Sequence, residues 1–231
     1  MTNSTARSLL DRITDIDGYV PSRLTIGAPA TGKSQLLSDA GTLLRLKFPN
    51  AQMVYISAGF MAGKDDYCWR FVNESAAYSF KDLTSEEKVF AYKRWTEILS
   101  TFHEASCDAK NPKILIVDEI DIIIRLGKAS VIGQTFSKLL MDKLVLAATM
   151  GLDSGYVLWV SSSIGNVSVL GLSSDLIRAL NPVYLTKYGV VWKATNYKAA
   201  VANGVAPGIP PIGFRENERI IGIDGAWESL P

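Results

Sequence analysis

The chain has 231 residues, of which 48% are hydrophobic and 20% are charged, and its formal net charge is +1. This composition is typical of one globular domain and excludes both a disordered chain and a chain that attracts nucleic acid by its overall charge. Two cysteines and one histidine exclude a disulfide framework and a zinc cluster, and they favour a reducing, cytoplasmic compartment.

The first predicted elements alternate between helix and strand. Residues 1–20 carry apolar residues at helical spacing, which predicts a short amphipathic N-terminal helix. The segment RLTI is a short apolar strand, KSQLLSDAGTLLRLKF has the apolar spacing of a helix, and AQMVYISAG predicts a second strand. No apolar run is long enough to span a bilayer, so no membrane segment is expected.

Between the first strand and its helix lies GAPATGKS, a complete match to the pattern G-x-x-x-x-G-K-[ST]. Such a turn presents backbone N–H groups to an anion, and the helix N-terminus adds the positive end of its dipole. We expect Lys33 to reach the outer phosphates of a nucleotide and the Ser34 hydroxyl to ligate Mg²⁺. The predicted nucleotide-binding residues are Gly27, Ala28, Pro29, Ala30, Thr31, Gly32, Lys33 and Ser34.

Residues 61–112 are predicted to be a helical insertion. Within it, TSEE is a helix N-cap signal and precedes a run of apolar residues at helical spacing. The apolar residues predicted to share one face of this helix are Phe90, Trp95, Ile98, Leu99 and Phe102.

The segment KILIVDEID places four apolar residues before Asp118 and Glu119, as in a strand that is buried on both faces. Ligands bind at the carboxyl ends of the strands in open parallel sheets, so both carboxylates are expected there. We predict that Asp118 holds the Mg²⁺ shell, usually through water, and that Glu119 polarises the attacking water as a general base. The adjacent glutamate favours an ATPase over a kinase or a GTPase. We assign no role to Asp121.

After a helix over IGQTFSKLLMDKLVLAATMGL, the segments YVLWVSSS and PVYLTK predict a fourth and a fifth strand. Alternation of strands and helices implies a parallel sheet. Ser162 and Ser163, with Ser161, are candidate sensors of the γ-phosphate; a serine-rich loop that caps the strand is an equally good interpretation of any one of them.

Three arginines are candidates for an arginine finger that one subunit supplies to its neighbour. Arg178 is favoured over Arg125 and Arg215 because it follows the fourth strand on a short predicted helix. Residues 188–231 are rich in Gly and Pro and predict an irregular C-terminal tail, in which VVWKA and RIIGID are short strands of a hairpin.

Together, GAPATGKS, KILIVDEID and the strand that ends in serines resemble the additional-strand, catalytic-glutamate class of P-loop ATPases. The resemblance implies an α/β fold: a three-layer RecA-like core whose mostly parallel sheet has the strand order 5-1-4-3-2. The segment WVSSSIGNVSVLGLSSDLIRALNPVYLTKYG is similar to the corresponding part of the FtsK/HerA superfamily. In that superfamily the fourth strand often ends in Gln, whereas this chain has a serine there.

Members of that superfamily include chromosome translocases, conjugation coupling ATPases and viral genome-packaging ATPases, which commonly thread DNA as hexameric rings. The resemblance implies that residues 1–231 form a single ATPase domain that uses ATP and Mg²⁺. It also implies DNA translocation or packaging by a homo-oligomeric ring from a plasmid, mobile element or virus. The alternative, an AAA+-like ATPase that remodels or loads a protein partner, would need a helical C-terminal lid where this chain is rich in Gly and Pro. A slow nucleotide-dependent switch is a third hypothesis, which Glu119 disfavours.

Overall fold

The computed structural model describes residues 3–60, 68–102, 107–150, 152–163, 171–189, 195–209 and 211–230. The strands of this part of the chain are β1 (Arg23–Gly27), β2 (Gln52–Ser57), β3 (Glu74–Ala77), β4 (Lys113–Asp118), β5 (Tyr156–Ser162), β6 (Val183–Lys187), β7 (Arg219–Ile223) and β8 (Ala226–Ser229). The helices are α1 (Asn3–Thr14), α2 (Lys33–Lys47), α3 (Ser85–Thr101), α4 (Ile120–Gly127), α5 (Val131–Thr149), α6 (Ser174–Ala179) and α7 (Thr195–Ala202).

These strands form one sheet in the order β3-β2-β4-β5-β1-β6-β7-β8. The pairings from β3 to β6 are parallel, and β7 and β8 continue the sheet as an antiparallel hairpin. The run β6-β1-β5-β4-β2 is the order 5-1-4-3-2, with β3 added at one edge and the hairpin at the other. The predicted mostly parallel α/β sheet and its β-rich C-terminal part are therefore confirmed.

Helices cover both faces of this sheet, which gives the three predicted layers. Side chains of α1 and α2 belong to the apolar cluster on one face, and those of α3 to α7 belong to the cluster on the other. The strand β4 shows the division, because Ile114 and Ile116 lie in the first cluster and Leu115 and Val117 in the second. All four are fully buried, as four consecutive apolar residues predict.

The N-terminal helix predicted within residues 1–20 is α1, which packs on α2. Leu9 and Ile13 are buried at this contact, while Ile16 lies beyond the helix in a β-bridge with Tyr19. Among the described helices, none combines the length and the apolarity that a membrane span requires. Neither Cys68 nor Cys107 forms a disulfide bond in the described part of the chain.

The segment predicted as a helical insertion contributes a strand, β3, as well as the helix α3. The helix begins with a complete capping box, in which Thr84 and Glu87 bond each other's backbone N–H groups. Trp95 is fully buried and donates its indole N–H to the Ala76 carbonyl oxygen over 2.6 Å, which fastens β3 to α3. Phe90 was predicted on the apolar face but is exposed, because that face runs one position further along, from Ala91.

Two helices were absent from the sequence prediction. The helix α4 follows Glu119 directly and contacts α5 where Gly127 meets Gly133, and its eight residues are too few for a clear apolar period. The helix α7 lies in the tail predicted to be irregular. The predicted strand RIIGID is β7, and it pairs with β8 across an Asp-Gly turn, a strong hairpin signal. The other predicted strand, VVWKA at residues 190–194, lies outside the described residues.

Candidate functional site

The GAPATGKS segment forms a turn at the carboxyl end of β1. Gly32 precedes α2 with φ 97°, and Ala30 also has a positive φ of 61°. Gly27 lies so close to β6 that a Cβ there would stand 2.5 Å from the Leu185 carbonyl oxygen. The two glycines are therefore required by a left-handed backbone and by a close approach, respectively.

Lys33 is folded back over this turn. Its ammonium group donates to the carbonyl oxygens of Gly27 over 2.8 Å and of Ala28 over 3.2 Å, and the side chain is buried. Burial lowers the pKa of Lys33, and the negative charges of Asp118 and Glu119 oppose that shift. A desolvated cation held at a turn of backbone N–H groups is suited to an anion such as a nucleotide phosphate.

Asp118, at the end of β4, joins the turn to the centre of the sheet. Its Oδ2 accepts a hydrogen bond from the Ser34 hydroxyl over 2.8 Å, and its Oδ1 accepts one from the Ser161 hydroxyl. A hydroxyl oxygen beside a buried carboxylate is a hard-oxygen pair of the kind that Mg²⁺ takes. No group of three or more acidic, His or Cys ligands occurs among the described residues. In nucleotide-binding sites Mg²⁺ is usually held by one or two protein oxygens together with waters and phosphate oxygens.

Glu119 is the N-cap residue of α4 and has a left-handed conformation, with φ 58° and ψ 48°. This backbone is unusual for a residue with a side chain, and such residues are frequent at functional sites. The Glu119 N–H donates to the Ser161 hydroxyl oxygen over 2.9 Å. Ser161 therefore bonds both acidic residues and fixes their relative position.

The Glu119 carboxylate lies against Gly59, which follows β2. A methyl group at Gly59 would overlap Oε2 of Glu119, and the backbone of Gly59 is otherwise compatible with alanine. This contact joins two residues that are far apart in the chain, so no local sequence pattern predicts it.

Gly59→Ala should leave the protein folded and reduce its turnover. The overlapping atom is the end of a flexible side chain, so we expect a loss of less than about 1 kcal/mol in the free energy of unfolding. The carboxylate must move by about 1 Å, which we expect to lower turnover by about 10-fold to 100-fold. Steady-state ATP hydrolysis and chemical denaturation check both effects. Gly208→Ala is the matched control, because a methyl group there meets only Val201, at 3.9 Å; equal turnover in the two variants would contradict the contact.

The three serines at the end of β5 have different surroundings. Ser161 bonds Asp118 and the Glu119 N–H, and Ser162 is fully buried beside Ile26 of β1. The N–H and hydroxyl of Ser163 both donate to the Asp121 carboxylate, over 2.9 Å and 2.6 Å. Asp121, which received no role from the sequence, is buried and fastens the end of β5 to α4.

Ser161→Ala should lower both stability and turnover. It removes the acceptor of a backbone N–H and the donor to a buried carboxylate, which should cost about 1–3 kcal/mol in the free energy of unfolding. Turnover should fall because Ser161 bonds both Asp118 and the Glu119 N–H. Ser22→Ala is the control, since buried Ser22 accepts the Leu158 N–H over 3.1 Å at the opposite edge of the sheet. We expect similar destabilisation and normal turnover for Ser22→Ala; a normal rate in Ser161→Ala as well would contradict a positioning role for Ser161.

The arginines lie at different ends of the strands of the sheet. Arg178 lies on α6, which precedes β6, at the amino ends of the parallel strands, whereas the GAPATGKS turn lies at their carboxyl ends. Its side chain is exposed and lies 3.5 Å from Asp175. Arg125 is exposed on α4, and Arg215 is exposed and precedes β7. Arg219, which the sequence analysis did not consider, brings its guanidinium within 3.3 Å of the Cβ position of Gly32. Only the pairing of β7 in the sheet reveals this approach to the turn.

Comparisons with known proteins support the fold. Neither protein-family models nor curated protein sequences give a match to this chain. Among solved structures, it is similar to the pCW3 conjugation coupling protein TcpA in its monomer form with ATPγS, with a TM-score of 0.53 and 12% identity over 92% of this chain. It is also similar to EssC (ATPases 2 and 3) from Geobacillus thermodenitrificans, with a TM-score of 0.50 and 14% identity over 91% of this chain.

The chain spans 60% of the length of TcpA and 39% of the length of the EssC chain. At these identities the likeness concerns the fold. The P-loop ATPase fold that the sequence motifs predicted is therefore confirmed.

Proposed function

We propose that this chain hydrolyses ATP with Mg²⁺ and uses the energy to translocate or package DNA. The observation that carries the proposal is one connected set of contacts. Ser34 at the start of α2 bonds Asp118, Asp118 bonds Ser161, and Ser161 bonds the backbone of Glu119. The residues that we propose to bind the metal and to carry the general base are thus side by side, next to the turn that we propose to bind the phosphates.

Each residue of this set has a defined task. The turn from Gly27 to Ser34 binds the phosphates with its N–H groups, and Lys33 turns from its carbonyl partners to the outer phosphates. Ser34 and Asp118 hold Mg²⁺, which when bound neutralises charge on the phosphates. Glu119 accepts a proton from the attacking water. Ser162 and Ser163 remain proposed sensors of the γ-phosphate, with Ser163 acting through its bond to Asp121.

The link to DNA rests on two findings of different kinds. The sequence resembles the FtsK/HerA superfamily, and the fold is shared with a conjugation coupling protein solved with ATPγS. We further propose a homo-oligomeric ring, a hexamer by that resemblance, in which Arg178 of one subunit completes the site of the next. Its position at the edge opposite the turn suits a residue that acts on a neighbour. A cytoplasmic location and a plasmid, mobile-element or viral source belong to the same proposal.

A triplex-displacement assay tests the proposal. A motor that moves along duplex DNA removes a third strand annealed in its path, and it does so only with hydrolysable ATP. We expect displacement with ATP and none with ATPγS. ATP hydrolysis without displacement or DNA binding would overturn the motor and favour the alternative, an AAA+-like ATPase that loads or remodels a protein partner.

A further inference from the structure

A groove of about 390 Å³ lies beside Glu119, on the side away from the GAPATGKS turn. The chain leaving β2 and the chain leaving β3 form one wall, and α3 and α4 form the other. The carboxyl ends of these parallel strands meet at the same edge as the site, so the groove and the site open in the same direction. Gly59 belongs to both, since it lines the groove and touches the Glu119 carboxylate.

Three cations from three different elements line this groove. Lys81 follows β3, Lys88 lies in the first turns of α3, and Arg125 lies on α4. Lys81 and Arg125 are exposed, and Lys88 is half-buried. Within the described ranges none of the three forms an ion pair. This concentration of positive charge is notable in a chain whose formal net charge is only +1.

The described acidic residues beside the groove form no ion pair with its three cations. Asp82 accepts a hydrogen bond from the Ser79 hydroxyl, and Glu87 accepts the Thr84 N–H over 2.8 Å in the capping box. Glu119 faces Gly59, and Glu86 is exposed in the first turn of α3. The positive charge of the groove is therefore available to an anionic partner.

We propose that this groove binds the phosphodiester backbone of DNA and that its occupancy acts on Glu119. The inference rests on the proposed function, and it names which surface receives the DNA. Several separated cations that face solvent suit a chain of phosphates, because each contact releases a condensed counterion. Contacts of this kind hold DNA without reading its sequence, as a translocating motor requires.

The connection to hydrolysis has two parts. Arg125 lies on α4, the helix that begins directly after Glu119, so a phosphate bound by Arg125 acts on the helix that carries the base. Only the backbone of Gly59, which has no side chain, lies between the groove and the Glu119 carboxylate. Because both contacts are close, DNA in the groove can change the position of the carboxylate and with it the rate of hydrolysis.

The test compares two double variants with the same change of charge. Lys81→Glu/Lys88→Glu reverses the charge of two lysines in the groove. Lys138→Glu/Lys198→Glu reverses the charge of two exposed lysines on α5 and α7. Fluorescence anisotropy measures the binding of a labelled duplex with ATPγS at several salt concentrations, and a coupled assay measures ATP hydrolysis with and without that duplex. Circular dichroism and light scattering report folding and assembly.

For the groove variant we expect at least about 10-fold weaker DNA binding. The slope of log affinity against log salt concentration should also be smaller, by an amount that corresponds to about two released counterions. We also expect stimulation of hydrolysis by DNA to be lost while ATPγS affinity is kept. The control variant should keep both DNA binding and stimulation. Equal DNA binding by the two variants would disprove DNA binding in the groove. A loss of assembly confined to the groove variant would also disprove it, because the surface would then be a contact between subunits. Wild-type protein that neither binds DNA nor responds to it would instead overturn the proposed function, and the groove with it.

Discussion

Lys33→Ala should bind ATP about 100-fold more weakly than the wild-type protein, and its turnover should be lost. The ammonium group is buried and already held at the turn by two carbonyl oxygens, so it is positioned to exchange them for phosphate oxygens. Two charge-assisted hydrogen bonds are together worth about 3 kcal/mol, which corresponds to about 150-fold in affinity. Isothermal titration with ATPγS measures the change directly.

The fold should survive this substitution. Burial lowers the pKa of Lys33, which shows that its charge is disfavoured by its surroundings, and so the variant loses a cation that costs free energy to bury. Lys33→Met keeps the aliphatic part of the side chain, and its affinity for ATP should fall to the same extent. Lys138→Ala, an exposed lysine on α5, is the control and should bind normally. Wild-type affinity in Lys33→Ala would disprove the phosphate-binding role of the turn.

Glu119→Gln should bind ATP normally and hydrolyse it between about 100-fold and 10,000-fold more slowly, the usual contribution of a general base. The amide has the shape of the carboxylate and keeps the contact with Gly59, but it cannot accept the proton of the attacking water. The backbone N–H that bonds Ser161 is unchanged, so Asp118 keeps its place. Single-turnover hydrolysis separates this loss from any change in product release.

The same measurement distinguishes an enzyme from a switch. A nucleotide-dependent switch would turn over slowly in the wild-type protein and change little in Glu119→Gln. Glu97→Gln, on the exposed part of α3, is the control for the charge removed and should hydrolyse ATP at the wild-type rate. A Glu119→Gln variant that hydrolyses ATP as fast as this control would show that another group activates the water.

The parts of the fold that could be predicted are those that local physics determines. GAPATGKS needs glycine where φ is positive and where β6 approaches, so the pattern carries its own backbone geometry. The apolar run before Asp118 predicts a strand buried on both faces, and β4 lies in the interior of the sheet between β2 and β5. The alternation of strands and helices then leaves few arrangements other than the one observed.

Contacts between distant parts of the chain could not be predicted in this way. Three consecutive serines are chemically alike, and only the position of β5 beside β4 brings Ser161, rather than Ser162, to Asp118. The strand β3 has the sequence ESAA, whose composition favours no strand, and it forms because β2 offers an open edge and Trp95 holds it there. Arg219 and Gly59 reach the site through the same kind of tertiary pairing.

The central claim is that the contacts from Ser34 to Glu119 form an ATP-hydrolysing centre coupled to DNA. The most direct test is the rate of ATP hydrolysis by the purified protein with and without double-stranded DNA, at low and at moderate salt. We expect hydrolysis that requires Glu119, increases with DNA and loses that increase as salt rises. Hydrolysis that is indifferent to DNA at every salt concentration would contradict it.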